Sequence, residues 1–398
     1  MVLSRTKSIL LMIISYFLGL QGIDTELEKI KEDKISLPDY EEDSRPSMQE
    51  DDEDLVEDSL ESMSMEEAQT RLIDPENIVI GGKTSASMYE FVPSQATKKL
   101  EDNFVEESDY YTKYADLKQV LPFEIIQAGV YAYPEKLNAF VHPYGVFDHF
   151  EAPQRLYDGP FNYFCLDAAS LLPVLMLNLQ KGDHLLDLCS GPGGKSVAAM
   201  QTLNPGKIVC NDVDPSRLKK VKYAMNSYLL DKYNHQLGLD LIQFSRRDGL
   251  TCPEVYADQF DKVLCDVPCY TDRHVLFDDD NNIFKAHLIK DRVRMPELQS
   301  KLLASAIKCL KPGGEVVYST CTLSPMQNDS VIALALKKIW EDTKIDVAII
   351  DLSKSILPFK SFLNFSNNSR AIKYGQQILP KIGQNFGPMY FAKIKRLT

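Results

Sequence analysis

From Asp167 onward, apolar runs of strand length alternate with amphipathic stretches long enough to be helices. This alternation restricts the chain to an α/β domain built around a largely parallel sheet. Strands are predicted at 184–188, 207–211, 240–244, 260–265, 315–319, 346–350 and 389–395, with helices between them, among them 215–229 and 297–310. The Lys311-Pro312-Gly313-Gly314 run predicts a turn that closes the second helix and starts a strand. No repeat of fixed period is visible.

Ahead of this domain the composition changes twice. Residues 1–23 join Arg5 and Lys7 to an apolar run ending near small residues, which reads as a targeting or signal-like segment too short for a stable membrane span. Residues 24–76 form an acidic stretch predicted to be disordered: positions 24 to 75 hold 20 of the 57 acids but 5 of the 44 bases. The net charge of -13 therefore belongs to the N-terminal region, and the remaining 39 bases against 37 acids permit local basic surface. An acidic total does not exclude a nucleic-acid partner. Residues 77–160 are predicted to be an N-terminal extension with a packed helix near 104–121, and residues 161–398 a catalytic domain.

The first predicted strand runs into Cys189-Ser190-Gly191-Pro192-Gly193-Gly194-Lys195 and then a helix. Glycines there let backbone approach a ligand closely, and a helix N-terminus presents unpaired N–H groups, so a nucleotide-like cofactor fits. By itself such a turn is as often a simple chain reversal. Two later acids sharpen the case. Asp212 follows the second strand about twenty residues on, where an acid can bind both hydroxyls of a ribose. Asp248 follows the third strand and is positioned either to accept from an adenine amino group or simply to cap a turn.

The fourth strand ends in Asp266-Val267-Pro268-Cys269 and the fifth in Ser319-Thr320-Cys321-Thr322. Ligands of open α/β sheets bind beyond the carboxyl ends of the strands, so both thiols are expected at the cofactor crevice. Most cysteines are small buried hydrophobes, and that reading suits Cys165, Cys210 and Cys309. The scattered cysteines and histidines fit neither a disulfide scaffold nor a zinc site. A thiolate is needed where carbon 5 of cytosine must take a methyl group: addition to carbon 6 makes carbon 5 nucleophilic. Asp266 is suited to hydrogen-bond the amino edge and ring nitrogen of the base. Cys269 is, or positions, the group that helps remove the carbon 5 hydrogen before elimination.

At these residues the chain resembles the NSUN family of RNA cytosine-5 methyltransferases, and within it the mitochondrial ribosomal-RNA branch that works with an mTERF-family protein. The resemblance covers Leu166 to the C-terminus and rests on positions 167–182, 266–274, 281–285, 318–328 and 385–391. It implies a Rossmann-like class I S-adenosyl-L-methionine-dependent methyltransferase fold, a mostly parallel sheet flanked by helices, with a helical N-terminal extension. It implies Gly193, Gly194, Lys195, Asp212, Arg217, Asp248, Gly249 and Asp266 around S-adenosyl-L-methionine, Cys321 as nucleophile and Cys269 in product release. It further implies RNA of the mitochondrial small ribosomal subunit as substrate, an mTERF-family partner, a role in ribosome assembly and a mitochondrial location, although residues 1–22 look more like a secretory signal. Three positions depart from the family pattern: Ser190-Gly191 for two alanines, Tyr270 for threonine and Asp329 for glutamate.

A phosphate-contacting flank is expected from Arg273, Lys285, Lys290, Arg292, Arg294 and Lys301. An exposed amphipathic helix face would carry the same residues. Three other readings remain: a transfer-RNA methyltransferase, a non-catalytic assembly factor that keeps the fold, and a hydrolase pairing Cys269 with His274, which would leave the glycine turn idle.

Overall fold

The computed structural model describes residues 11–15, 123–142, 150–156, 160–229, 241–269, 272, 289–367, 372–381 and 386–398. The helix expected near 104–121, the acidic stretch, Tyr270, Arg273, His274 and Lys285 lie outside these residues.

Among the described residues one nine-stranded sheet dominates. Its parallel centre is β5 (His184–Asp187), β6 (Lys207–Asn211), β7 (Ile242–Ser245), β8 (Phe260–Asp266) and β9 (Leu310–Thr320), in the order β9-β8-β5-β6-β7. β12 (Met389–Arg396) runs antiparallel between β9 and β10 (Val347–Asp351), and β11 (Gln376–Ile378) pairs with β12. β2 (Glu124–Gln127), contributed by the N-terminal extension, pairs in parallel with β10 and closes that edge. A separate three-stranded sheet places β1 (Leu11–Ser15) between β3 (Leu137–Phe140) and β4 (Phe164–Leu166).

All seven predicted strands are present, with ends displaced by up to a few residues. The largest displacement is in β9, which starts at Leu310. Phe260 pairs with Leu310 and Lys262 with Glu315, so Lys311 to Gly314 form a bulge inside the strand, with Gly313 at φ 84°. The described part of the N-terminal extension supplies β2 and β3.

Alternate strand residues point to opposite faces and build two cores. Leu185, Ile208, Leu264, Val317 and Phe391 face α1 (Ala168–Met176), α2 (Gly194–Gln201) and α3 (Pro215–Tyr228). Leu186, Val209, Val263, Val316 and Ile394 face α4 (Ile289–Cys309) and α5 (Asp329–Asp342). Each such fully buried aliphatic side chain stabilises the fold by about 1.5–3 kcal/mol relative to exposure. Cys210 and Cys309 are buried in these cores, as expected, whereas Cys165 on β4 is partly exposed because its strand lies outside the main sheet.

The helices start where the sequence caps them. Asp167 accepts the Ala169 amide at 2.7 Å before α1, and Asp214 accepts those of Ser216 and Arg217 before α3, with Pro215 in the first turn. After β7 the chain returns across the sheet to β8, on the other side of β5. That reversal opens a crevice at the carboxyl ends of β5 and β8.

Candidate active site

The glycine turn follows β5 into this crevice. Gly193 has φ 111°, a conformation that side chains resist, and it leads directly into α2. Gly191 is packed more tightly: a Cβ there would lie 2.6 Å from Asp212 Oδ2 and 2.7 Å from the Arg217 Cβ. The departure from alanine at 191 thus accompanies a close approach of Arg217, whose Nη2 donates to Gly191 O at 2.6 Å. Asp212 is buried; Oδ2 accepts the Gly191 amide at 2.9 Å and Oδ1 the Asp214 amide at 3.0 Å. Ser190 donates its amide and hydroxyl to Asn211 O.

Asn211 was not predicted as a site residue, yet its side chain joins three strand ends. Nδ2 donates to Leu188 O and Arg247 O, and Oδ1 accepts the Arg247 amide. Asp248 lies on the exposed rim beside it, and Oδ1 caps the following turn by accepting the Leu250 amide at 2.9 Å. The turn-capping role is therefore realised, and Oδ2 is the oxygen left for another partner. Gly249 is fixed by packing: a Cβ would meet Leu302 Cδ2 at 2.6 Å, and Gly249 O accepts from Ser305. Gly194 lies against Leu166 in the same way.

At the floor of the crevice Asp187 ends β5, fully buried. Oδ2 accepts the Ser196 hydroxyl, while Oδ1 has no hydrogen-bond partner among the described residues. Burial pushes this carboxyl up to about 7 despite the Ser196 bond. An unpartnered buried acceptor beneath a glycine cradle and a helix N-terminus suits a cationic ligand group. Asp187 is not among the residues predicted for the site, although an acid closing the strand before the glycine turn is a signal that could have found it.

The thiol side is held by side chains. Lys195 reaches from α2 to Asp266, Nζ to Oδ2 at 2.7 Å, and Ser319 donates to Oδ1 at 2.6 Å. Burial pushes the Lys195 ammonium down, but the Asp266 carboxylate outweighs it and the net shift is upward. Cys269 Sγ accepts the Cys321 amide at 3.2 Å, so the two predicted thiols meet. The Cys321 thiol and burial together push the Cys269 thiol well up. Both cysteines are partly exposed and neither forms a disulfide.

Two further residues tie these loops together. Asp272 accepts the Thr322 hydroxyl at 3.1 Å and the Leu323 amide at 2.5 Å, crossing from the Cys269 loop to the Cys321 loop. Gln299 on α4, also buried, donates to Pro268 O at 2.8 Å and to Gln327 Oε1 at 3.0 Å. Asp329 bonds Tyr390, Lys373 and Tyr374, so the departure from glutamate anchors α5 to the C-terminal strands. In the expected basic flank, Arg294 is exposed, Arg292 is partly so, and Lys301 is paired with Glu297 at 2.7 Å.

A family model described as 16S rRNA methyltransferase RsmB/F matches residues 174–395, more than half of the chain. The chain belongs to this family. It is 38% identical over 262 residues to a Xenopus laevis protein named 5-cytosine rRNA methyltransferase NSUN4, covering 66% of this chain and 63% of that one. The Mus musculus protein of the same name is 40% identical over 239 residues, covering 60% and 61%. A second mouse protein, named tRNA (cytosine(34)-C(5))-methyltransferase, mitochondrial, is 35% identical over 272 residues, covering 68% and 74%. The chain thus spans less than two thirds of the length of the NSUN4-named relatives. Family and fold together make S-adenosyl-L-methionine the cofactor of this crevice. The chain's residues fit it: the glycine turn, Asp187 with its buried oxygen that has no partner among the described residues, and the buried Asp212 stand together at the carboxyl ends of β5 and β6.

Proposed function

We propose that the protein methylates carbon 5 of cytosine in RNA, with mitochondrial small-subunit ribosomal RNA as substrate, through a covalent bond between Cys321 and carbon 6. The observation that carries this is the meeting of Cys321 and Cys269 beside the Lys195–Asp266 pair. Two thiols at a cofactor crevice have little to do in simple methyl transfer to oxygen or nitrogen. When carbon 5 of a pyrimidine is the acceptor, one thiol serves as the nucleophile and the second is in place to help remove the carbon 5 hydrogen.

The Cys321 thiolate adds to carbon 6, and the electron pair released from the 5,6 double bond makes carbon 5 nucleophilic. S-adenosyl-L-methionine supplies an electrophilic methyl group. Asp266 accepts from the amino edge of the base while Lys195 and Ser319 hold its carboxylate in place. The hydrogen on carbon 5 then leaves as a proton, taken by Cys269 or by a group that it positions. The electron pair re-forms the double bond as the carbon–sulfur bond breaks and returns its pair to Cys321. The target base must be unpaired or flipped out to reach the thiol.

Mitochondrial location, a role in ribosome assembly and an mTERF-family partner accompany this reading as what the family resemblance implies. The relative named as a mitochondrial transfer-RNA enzyme supports transfer RNA as the second reading.

The test is a covalent trap. Purified protein, with the partner present, is incubated with S-adenosyl-L-methionine and 5-fluorocytosine-containing small-subunit ribosomal RNA or transfer RNA, then run on a denaturing gel. Fluorine at carbon 5 blocks elimination, so an adduct is expected with wild type and Cys269→Ala and lost with Cys321→Ala. An adduct only with transfer RNA moves the substrate. No adduct with either RNA leaves the assembly-factor reading.

A further inference from the structure

Helix α3 carries a surface that neither the cofactor nor the thiols use. Its buried side is Leu218, Val221, Ala224 and Met225. Its outward side presents Lys219, Lys220, Lys222 and Tyr223, all exposed, with no acid between Pro215 and Tyr228. Tyr223 is 63% exposed, a large aromatic ring among three ammonium groups with no ring partner among the described residues. Lys222 Nζ stands 5.4 Å from the centroid of Phe244 on β7, which holds the lysine against the sheet edge. Where β7 ends, Arg246 and Arg247 are also exposed. Among the described residues the nearby exposed acids, Asp214 and Asp248, are turned to capping amides in their own turns.

We propose that this face, Lys219, Lys220, Lys222 and Tyr223 with Arg246 and Arg247, binds the phosphodiester backbone of single-stranded RNA flanking the target cytosine. The inference rests on the proposed RNA reaction. Position favours it: β7 is the sheet edge, four strands from β9, after which Cys321 follows. At about 4.8 Å per strand that is roughly 19 Å, a few nucleotides along a strand crossing the carboxyl ends. Chemistry favours it too, because ammonium and guanidinium groups track phosphates and an exposed ring stacks a base without regard to sequence. Lys301 in the flank expected from sequence already has an acidic partner, whereas no ion pair is seen at the α3 lysines among the described residues.

The full chain is titrated against a fluorescent single-stranded RNA from the small ribosomal subunit at several salt concentrations. Wild type is compared with Lys219→Glu/Lys220→Glu/Lys222→Glu, with the milder Lys→Ala triple, and with Tyr223→Ala. Lys344→Glu/Lys354→Glu/Lys360→Glu gives the same charge change near β10, toward the opposite edge. The α3 glutamate triple is expected to bind at least tenfold more weakly. Both α3 triples should flatten the log–log salt slope by about 2, near 0.7 per lost phosphate contact. Tyr223→Ala is expected to lose about fivefold or more with the slope intact. Cofactor binding and melting temperature should not move in any of them. Equal losses in the β10-side control, or unchanged binding and slope in both α3 triples while wild type binds RNA and forms its Cys321 adduct, overturn the face and leave the reaction standing. A salt slope that responds to α3 in a protein that forms no adduct overturns the reaction and leaves the face.

Discussion

The two ends of the central strands both bury charge, and they treat it differently. At the amino ends of β8 and β9, Glu315 binds Lys262 at 2.5 Å and Lys393 at 2.8 Å, and Lys393 also reaches Tyr131 and Leu177 O. Every charge in that cluster has a partner. Burial pushes the Lys393 ammonium down and Glu315 restrains the fall; burial, then Glu315, pushes the Tyr131 hydroxyl up to about 12. At the carboxyl ends Asp187 keeps an oxygen without a partner among the described residues, and Asp266 faces a partly open crevice. Polarity satisfied within the protein holds the fold; polarity left open marks where a ligand completes it.

Glu315→Ala should have the largest effect. It leaves buried Lys393 without its counter-charge and should cost about 3–5 kcal/mol in denaturant unfolding, with no loss of cofactor affinity in whatever remains folded. A loss near zero would mean that the cluster is no better matched than the site. Lys195→Met, at the other end, should lower single-turnover methylation about a hundredfold or more while changing melting little.

Asp187→Asn separates the ends by sign. The folded carboxyl holds its proton up to about 7, whereas the unfolded one releases it near 3.8. The folded state therefore binds more protons between those values, and stability falls as pH rises through the window. The variant lacks that penalty. Without cofactor it should be more stable than wild type at pH 8, on the order of 4 kcal/mol, and no more stable at pH 4. Calorimetry at the two pH values reads this directly, and equal effects at both would contradict an open buried carboxylate.

Asp272→Asn keeps shape while weakening the tie between the thiol loops. Turnover should fall about tenfold with cofactor affinity unchanged, and the unresolved covalent adduct should persist longer. Smallest of all, Lys311→Ala removes a partly exposed pair with Asp261 and should change stability by about 1 kcal/mol or less.

The long apolar strands were legible because their residues fill both cores and leave little choice of register. β2 and β11 were not: β2 is mostly exposed, with only Ile126 half-buried, and β11 is three residues long, so neither carries a pattern that stands out. In the site, glycines and strand-end acids could be read because their neighbours in sequence make the cofactor turn. Asn211, Asp272 and Gln299 could not. Their partners lie 23 to 51 residues away along the chain, and a polar residue declares such a tie only once the strands are assembled. Asp248 was ambiguous for the reverse reason, since its capping role is local and its outward oxygen looks the same either way.

The antiparallel β12 also sets the order in which the sheet can be completed. It lies between β9 and β10, which have no direct pairing, yet it is translated about seventy residues after β9 ends. At ribosomal rates that is several seconds in which β9 offers an open edge, joined by β10 for about the last forty residues. A nascent chain of this family therefore passes through a sticky interval just before synthesis reaches Met389. A premature stop between β10 and β12 would yield two half-sheets prone to aggregation, even though every residue of the catalytic crevice had already been made.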